Sequence, residues 1–229
     1  MPSSVATFLG TTHLFADLEA GELEAVAAIC RKRPVPKGSI LFYEEDPGNA
    51  CYVLIRGKIK IVVNSGDGRE HILGILGPQD LLGEMSLIDG KPRSASAVAV
   101  EDSEVLTLPR EDFGNLLREV PDIVHKLLVV LTRRLRATDA HVESLAFLSA
   151  PGRVARLMLH LADESGERTP EGKPRFTTRM TRQEMANITG TSRETFTRIM
   201  TEYQERQLLT VDRQHFVIEN SVKLRALIV

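Results

Sequence analysis

The chain has 229 residues, of which 26% are charged, 42% hydrophobic and 5% aromatic, and it carries a formal net charge of −2. That length suits one large domain or two small ones with separate cores, and the composition is that of an ordinary soluble protein. With no run of eighteen apolar residues, and with Met-Pro-Ser-Ser-Val-Ala-Thr lacking the basic start and apolar core of a secretory signal, a cytoplasmic location without membrane contact is expected.

Cys30 and Cys51 are isolated, with no C-x-x-C pattern, and the histidines show no metal-ligand spacing. No metal site is expected, and both cysteines read as small buried hydrophobes. Charge is uneven along the chain: residues 149–229 hold 13 Lys+Arg against 10 Asp+Glu, and residues 1–148 hold 16 against 21. The C-terminal third is therefore the part expected to meet a polyanion.

Leu23, Val26, Ala27 and Cys30 have helical spacing and predict a short amphipathic helix over residues 18–30. The basic run Arg31-Lys32-Arg33 reads as that helix's C-terminus and a solvated face. From Ser39 to Leu108 the pattern becomes short β-prone pieces: Ile40–Phe42, Cys51–Leu54, Ile59–Val63, His71–Leu76, Ala95–Val100 and Val105–Leu108. Asp46-Pro47-Gly48, Arg56-Gly57, Gly66-Asp67-Gly68 and Gly77-Pro78 separate them with turn-forming residues. Short strands at this spacing predict an antiparallel roll or barrel.

Between two of those strands lies Gly83-Glu84-Met85-Ser86-Leu87-Ile88-Asp89-Gly90-Lys91-Pro92-Arg93-Ser94-Ala95-Ser96-Ala97. Arg93 and Ser94 offer a cyclic phosphate a charge-assisted fork and a hydroxyl donor, while Glu84 is left to accept from a sugar hydroxyl. The simpler alternative is that Glu84 and Arg93 pair with each other across a hairpin.

After Pro121, the residues Val124, Leu128, Leu131, Leu135, Thr138, Val142 and Leu145 recur at alternating spacings of four and three. This heptad seam predicts a dimerisation helix over residues 121–148; the alternative is a helix lying on its own barrel. Thr138, the polar member of the seam, reads as a register-fixing residue.

Ser149-Ala150-Pro151-Gly152 breaks the helix and marks the expected domain boundary. Val154, Leu157, Met158 and Leu161 then form a packing helix, and Asp163 to Arg175 reads as an exposed polar loop. Thr181-Arg182-Gln183-Glu184 is a capping box that opens a helix, with Ala186 and Ile188 facing inward. Gly190 turns the chain, and a second box, Thr191-Ser192-Arg193-Glu194, opens the next helix, which gives a helix-turn-helix. In that helix Phe196, Ile199, Met200 and Tyr203 form the buried stripe, leaving Glu194, Thr197, Arg198 and Thr201 outward with Arg193 beside them. Leu208–Val211, the turn Asp212-Arg213-Gln214 and Phe216–Ile218 complete a β-hairpin wing.

Three of these stretches carry a family resemblance. Residues 83–97 closely resemble the phosphate-binding cassette of cyclic-nucleotide-binding domains, and Thr-Ser-Arg-Glu-Thr at 191–195 with Arg198 resembles the recognition helix of the cyclic AMP receptor protein family. Arg133-Arg134-Leu135-Arg136-Ala137-Thr138 also matches a family segment. The resemblance implies an α+β chain: a cyclic-nucleotide-binding β-roll in residues 1–120, the dimerisation helix in 121–148 and a winged helix-turn-helix in 149–229. It implies cyclic AMP as effector, held by Gly83, Glu84, Arg93, Ser94 and Arg134, with Thr138 contacting the adenine and a contribution from the other subunit. The next family position, usually serine, is Asp139, whose carboxylate would either accept from the adenine amino group or repel an anionic ligand.

The resemblance further implies that Arg193, Glu194 and Arg198 read base edges; arginine forks onto guanine and a carboxylate accepts from cytosine. Ser192, Thr195, Thr197, Thr181, Arg182 and Gln183 suit phosphates and the surrounding backbone, and Arg213 reaches the backbone from the wing. The implied partners are a second copy of the chain, a two-fold pseudo-palindromic operator and RNA polymerase. No P-loop, nucleophile–base arrangement or zinc signature is present, so no catalytic residue and no enzyme activity are expected. Two other functions fit parts of the pattern: a regulator of the same fold with another effector or none, and a nucleotide-sensing module of a kinase or channel.

Overall fold

A computed structural model describes residues 3–66 and 68–228; the expected turn at Gly66-Asp67-Gly68 therefore lies partly outside the described residues, at Asp67. The chain forms two compact units, Met1–Arg136 and Ala137–Val229.

The first unit begins with helices α1 (Ser4–Leu9) and α2 (Ala20–Ile29). The Ser3 hydroxyl caps α1 by accepting from the Ala6 amide, and Glu19 and Glu22 cap α2 reciprocally. Among the described residues eight strands follow: β1 (Arg31–Val35), β2 (Ile40–Phe42), β3 (Ala50–Arg56), β4 (Ile59–Asn64), β5 (Glu70–Leu76), β6 (Leu81–Leu82), β7 (Ser96–Ala99) and β8 (Ser103–Pro109). They make two four-stranded antiparallel sheets, ordered β1-β8-β3-β6 and β2-β7-β4-β5. The basic run Arg31-Lys32-Arg33 is thus a strand and not a helix end: it pairs with Val105 to Thr107 and keeps its side chains exposed.

Strand β3 explains why its sequence is continuously apolar. Ala50, Tyr52 and Leu54 join a core with Leu41, Ile59, Ala97 and Val105, while Cys51 and Val53 join a second core with Leu9, Phe15, Phe113 and Ile123. The period-two alternation of a strand therefore buries both faces. Within the sheets, Leu82 leads through Gly83 to helix α3 (Met85–Asp89), which ends at Gly90 in the left-handed region at φ 74°. Helix α4 (Arg110–Glu119) and the long helix α5 (Pro121–Phe147) follow β8.

Two faces of α5 differ sharply. Ile123 and Leu127 are buried in the core of the first unit, whereas the seam residues Leu128, Leu135 and Val142 are each more than half exposed, at 57%, 61% and 58%. Cys51 is fully buried, while Cys30 is only half-buried; both are free thiols. Among the described residues no helix is long and apolar enough to cross a membrane, and no group of three or more His, Cys, Asp or Glu side chains is placed to hold a metal ion.

In the second unit, Ser149 caps α6 (Ala150–Ser165), with Pro151 in its first turn where a missing amide hydrogen costs nothing. This helix runs further than the sequence suggests, to Ser165, and Arg175 opens strand β9 (Arg175–Thr177), so the expected exposed loop is shorter. Helix α7 (Arg182–Ile188) starts at the expected Thr181–Glu184 capping box. Helix α8 (Arg193–Glu205) starts one residue later than the sequence suggests: Ser192 is the cap, accepting from the Thr195 amide, and Thr191 bonds the Thr189 hydroxyl instead. Strands β10 (Leu209–Asp212) and β11 (His215–Ile218) form the wing, with β9 added beside β11. A short helix, α9 (Ser221–Arg225), closes the unit.

The stripe Phe196, Ile199, Met200 and Tyr203 is buried against Val154, Met158, Ala186 and Phe216. Truncating Phe196, which is fully buried, to alanine would cost about 3–5 kcal/mol. This packing fixes which face of α8 is left outward.

Candidate functional site

Glu84 is buried at 1% exposure and accepts at Oε1 from Nη1 of Arg134 on α5 at 2.6 Å. Arg134 also donates from Nη2 to the Leu81 carbonyl. The second carboxylate oxygen, Oε2 of Glu84, is buried and makes no hydrogen bond within the chain. A buried carboxylate with one oxygen satisfied and one open has the form of an acceptor kept for a ligand.

Arg93 is equally buried, at 3% exposure. Its Nη1 donates to the Gly83 carbonyl at 2.5 Å and its Nη2 to the Ala50 carbonyl at 2.6 Å, while its Nε makes no hydrogen bond. Burial is the main cause that lowers its pKa from the usual arginine value, and the nearby Glu84 carboxylate acts in the opposite sense. The two charged side chains therefore do not satisfy one another: Glu84 is tied to Arg134 and Arg93 to main-chain carbonyls. The hairpin ion pair that the sequence leaves open is not the arrangement found.

Gly83 has φ +78°, a conformation that L side chains rarely adopt, and a β-carbon there would lie 2.6 Å from Arg93 Nη1. Only glycine lets the chain pass this close to the guanidinium. Ser94 is exposed beside Arg93, its Oγ 4.0 Å from the Met85 sulfur. Gly83, Glu84, Arg93, Ser94 and Arg134 are thus brought together in the first unit. An open carboxylate oxygen, an open guanidinium N–H and a surface hydroxyl suit a small ligand carrying both a hydroxyl and an anionic group. Thr138 and Asp139 are exposed on α5 in the second unit.

Sequence reasoning missed Arg110 and Phe42 here. Arg110 donates from Nε to the Gly48 carbonyl at 2.8 Å and from Nη2 to the Ser86 carbonyl at 2.8 Å. It thereby ties the helix of the cassette to the start of α4. Gly48 is buried where a β-carbon would sit 2.4 Å from that of Ser86, so the turn read at Asp46-Pro47-Gly48 is also a close packing point. Nothing in the local sequence pattern marks Arg110, because its partners are backbone atoms of distant segments.

In the helix-turn-helix, Arg182, Arg193, Glu194 and Arg198 are exposed, and Thr195 and Thr197 are half-buried. The Thr181 hydroxyl accepts from the Glu184 amide at 3.1 Å, and Gln183 bonds Asn187 at 2.8 Å. Hydrogen bonds from its own amide and from the Ser192 hydroxyl hold the Glu194 carboxyl below the usual carboxylate range. It is therefore ionised and purely an acceptor at neutral pH. Arg213 occupies the wing turn in the left-handed region, at φ 55°, with an exposed side chain.

Arg153 is a further residue the sequence did not reveal. From α6 it donates to the Thr189 carbonyl at 2.7 Å, the Leu148 carbonyl at 2.8 Å and the Gly190 carbonyl at 3.3 Å. It fixes the turn between α7 and α8 and so the angle at which the exposed face of α8 is presented.

The β-roll with its cassette and the helix-turn-helix with a wing define a transcription regulator that carries a cyclic-nucleotide-binding domain. A family model described as a cyclic nucleotide-binding domain matches residues 32–120, and one described as a Crp-like helix-turn-helix domain matches residues 152–227. The chain is 36% identical over 207 residues to the CRP-like cAMP-activated global transcriptional regulator of Mycobacterium tuberculosis, covering 89% of this chain and 92% of that one. It is 41% identical over 187 residues to the cyclic AMP receptor protein of Thermus thermophilus, covering 82% and 83%. Among solved structures, the c-di-GMP responsive global regulator CLP of Xanthomonas campestris matches with a TM-score of 0.77 at 28% identity, covering 87% of this chain and 99% of that one. The chain belongs to the CRP/FNR family of transcription regulators.

Proposed function

We propose that the protein is a cytoplasmic, homodimeric transcription regulator whose binding to a two-fold operator is controlled by cyclic AMP. The observation that carries the effector reading is the pair of open buried groups, Glu84 Oε2 and Arg93 Nε. In this reading Glu84 accepts from the ribose hydroxyl, Arg93 and Ser94 hold the cyclic phosphate, and Arg134 anchors the Glu84 carboxylate through Oε1. Gly83 makes the room. Each charge-assisted contact contributes about 1.5–3 kcal/mol. Thr138 and Asp139 meet the base, and the other subunit contributes there.

The effector works only by binding one posture of the dimer more tightly than the other, and a near-complete switch needs a ratio on the order of 10⁴. A ligand touching both subunits can supply that difference. On DNA, Arg193, Glu194 and Arg198 read base edges, while Thr181, Arg182, Gln183, Ser192, Thr195, Thr197 and Arg213 contact or face the phosphate backbone. Half-sites then lie about one helical turn, roughly 34 Å, apart. RNA polymerase is the further partner, and the protein is a regulator without enzyme activity.

Calorimetry with cyclic AMP, cyclic GMP and cyclic di-GMP tests the effector. The expected result is one site per chain for cyclic AMP, lost in Arg93→Ala while the dimer remains folded. Undiminished binding by that variant would remove Arg93 from the site. A second reading, a regulator of the same fold that answers another effector, is favoured by the exposed carboxylate of Asp139 and by the likeness to the c-di-GMP responsive regulator CLP. Binding of cyclic di-GMP with no response to cyclic AMP would select it.

A further inference from the structure

The Arg93 guanidinium is held on three sides. Two carbonyls take its terminal nitrogens, and the half-buried ring of Phe42 lies against its face, with the guanidinium carbon 4.3 Å from the ring centroid. The ring is itself backed by Tyr52, whose centroid is 5.9 Å away at an interplanar angle of 20°. Tyr52 is buried at 7% exposure, so the stack of Arg93, Phe42 and Tyr52 rests on the core between the two sheets. Gly83 keeps the fourth side clear; a β-carbon there would also approach Phe42 Cε1 to 3.4 Å.

This geometry solves two problems at once. A buried cation whose partners are neutral carbonyls lacks a counter-charge within hydrogen-bonding distance, and the negative face of an aromatic ring offsets part of that cost. An arginine side chain also has many rotamers. The ring and the two carbonyls restrict it to one plane, with Nε as the donor left open. Ordering is then complete before a ligand arrives, and affinity rises because that cost is not met on binding.

We propose that Phe42 is a positioning residue for the ligand cradle: through Arg93 it sets the affinity for the anionic group of the effector. This inference rests on the reading of the cradle as a cyclic-nucleotide site, and it deepens that reading by assigning a residue outside the cassette to it. Leucine at position 42 keeps the apolar bulk but has no ring face, whereas tyrosine keeps the face.

The test is calorimetric titration of the full-length chain with cyclic AMP, with folding of each variant checked by circular dichroism. Phe42→Leu is expected to weaken binding about two- to tenfold, the effect of one long side chain ordered on binding rather than beforehand. Phe42→Tyr is expected to stay within about twofold of the parent. In an Arg93→Lys background, which keeps a cation for the phosphate but not the planar guanidinium that the ring orders, Phe42→Leu is expected to add no further loss, a result that general destabilisation would not produce. Parent-like affinity in Phe42→Leu, or an equal loss with and without Arg93, overturns the assignment of Phe42 while leaving cyclic AMP as effector. Failure of the parent chain itself to bind cyclic AMP removes the proposed effector, and this inference falls with it.

Discussion

Arg134 Nη1 lies 2.6 Å from Oε1 of Glu84, across fifty residues of sequence, and this bond joins the long helix to the buried carboxylate of the cassette. The pair is asymmetric: Glu84 is buried, and the Arg134 side chain keeps about a third of its surface in water. Removing the arginine therefore leaves an uncompensated buried charge, whereas removing the charge from the glutamate does not. Arg134→Ala is expected to destabilise the protein on the order of 2–3 kcal/mol, less than the 3–5 kcal/mol of a fully buried pair. Adding Glu84→Gln should recover more than half of that loss. Urea denaturation of the two single variants and the double variant measures it, and strictly additive effects would show that the bond carries no coupling.

The opposite faces of α5 give a second prediction. Ile123 and Leu127 are buried within the first unit, yet Leu128, Leu135 and Val142 present apolar surface to solvent at heptad spacing. A full burial of each such side chain contributes about 1.5–3 kcal/mol, so a second copy covering the seam gains several of these at once. Leu135→Glu, alone and with Val142→Glu, is expected to weaken self-association at least a hundredfold by sedimentation velocity. The folding of each monomer should persist, since neither side chain belongs to a core. A chain that is already monomeric before substitution would refute the homodimer.

Much of this architecture is legible in the sequence wherever a local pattern dictates it. The six β-prone pieces, the long helix, the Thr181–Glu184 box and the buried stripe of α8 all follow from periodicity and capping. The cassette is legible by resemblance, and the structure brings its Gly83, Glu84, Arg93 and Ser94 together with Arg134. What was not legible depends on distant backbone. Arg31-Lys32-Arg33 is a strand because β8 offers it an edge to pair with. Arg110, Arg153 and the Phe42–Arg93 stack act on carbonyls or rings of segments far away in the chain. The Ser192 cap won over Thr191 because the Thr191 hydroxyl is engaged by Thr189.

On α8 the ionised Glu194 and its arginine neighbours predict how specificity is lost. A carboxylate accepting from a cytosine amino group discriminates by about 1–3 kcal/mol and contributes nothing to attraction for phosphates. Glu194→Ala is therefore expected to relax preference at one base pair of each half-site by roughly five- to 150-fold. Affinity for random duplex should hold steady or rise, because a negative charge has left the interface. Competition gel shifts on single-base operator variants measure this. An equal loss on operator and random duplexes would exclude base reading by Glu194.

The two thiols predict an alkaline limit to stability. Burial raises the Cys30 pKa from its ordinary value of 9.0 to about 11 and pushes that of Cys51 up further, with the nearby Glu84 adding to the second effect. Above pH 9 the unfolded chain releases these protons while the folded chain keeps them, so the unfolded state binds fewer protons and stability falls as pH rises. Each thiol contributes a slope of about 1.4 kcal/mol per pH unit within its window. For Cys30 that window runs from pH 9 to about 11, and for Cys51 it extends higher. Cys30→Ala should flatten the limb between pH 9 and 11, and Cys51→Val should flatten it there and above. Denaturant titrations in that range decide the matter: an unchanged slope in both variants would mean that the thiols ionise alike in the folded and unfolded chains.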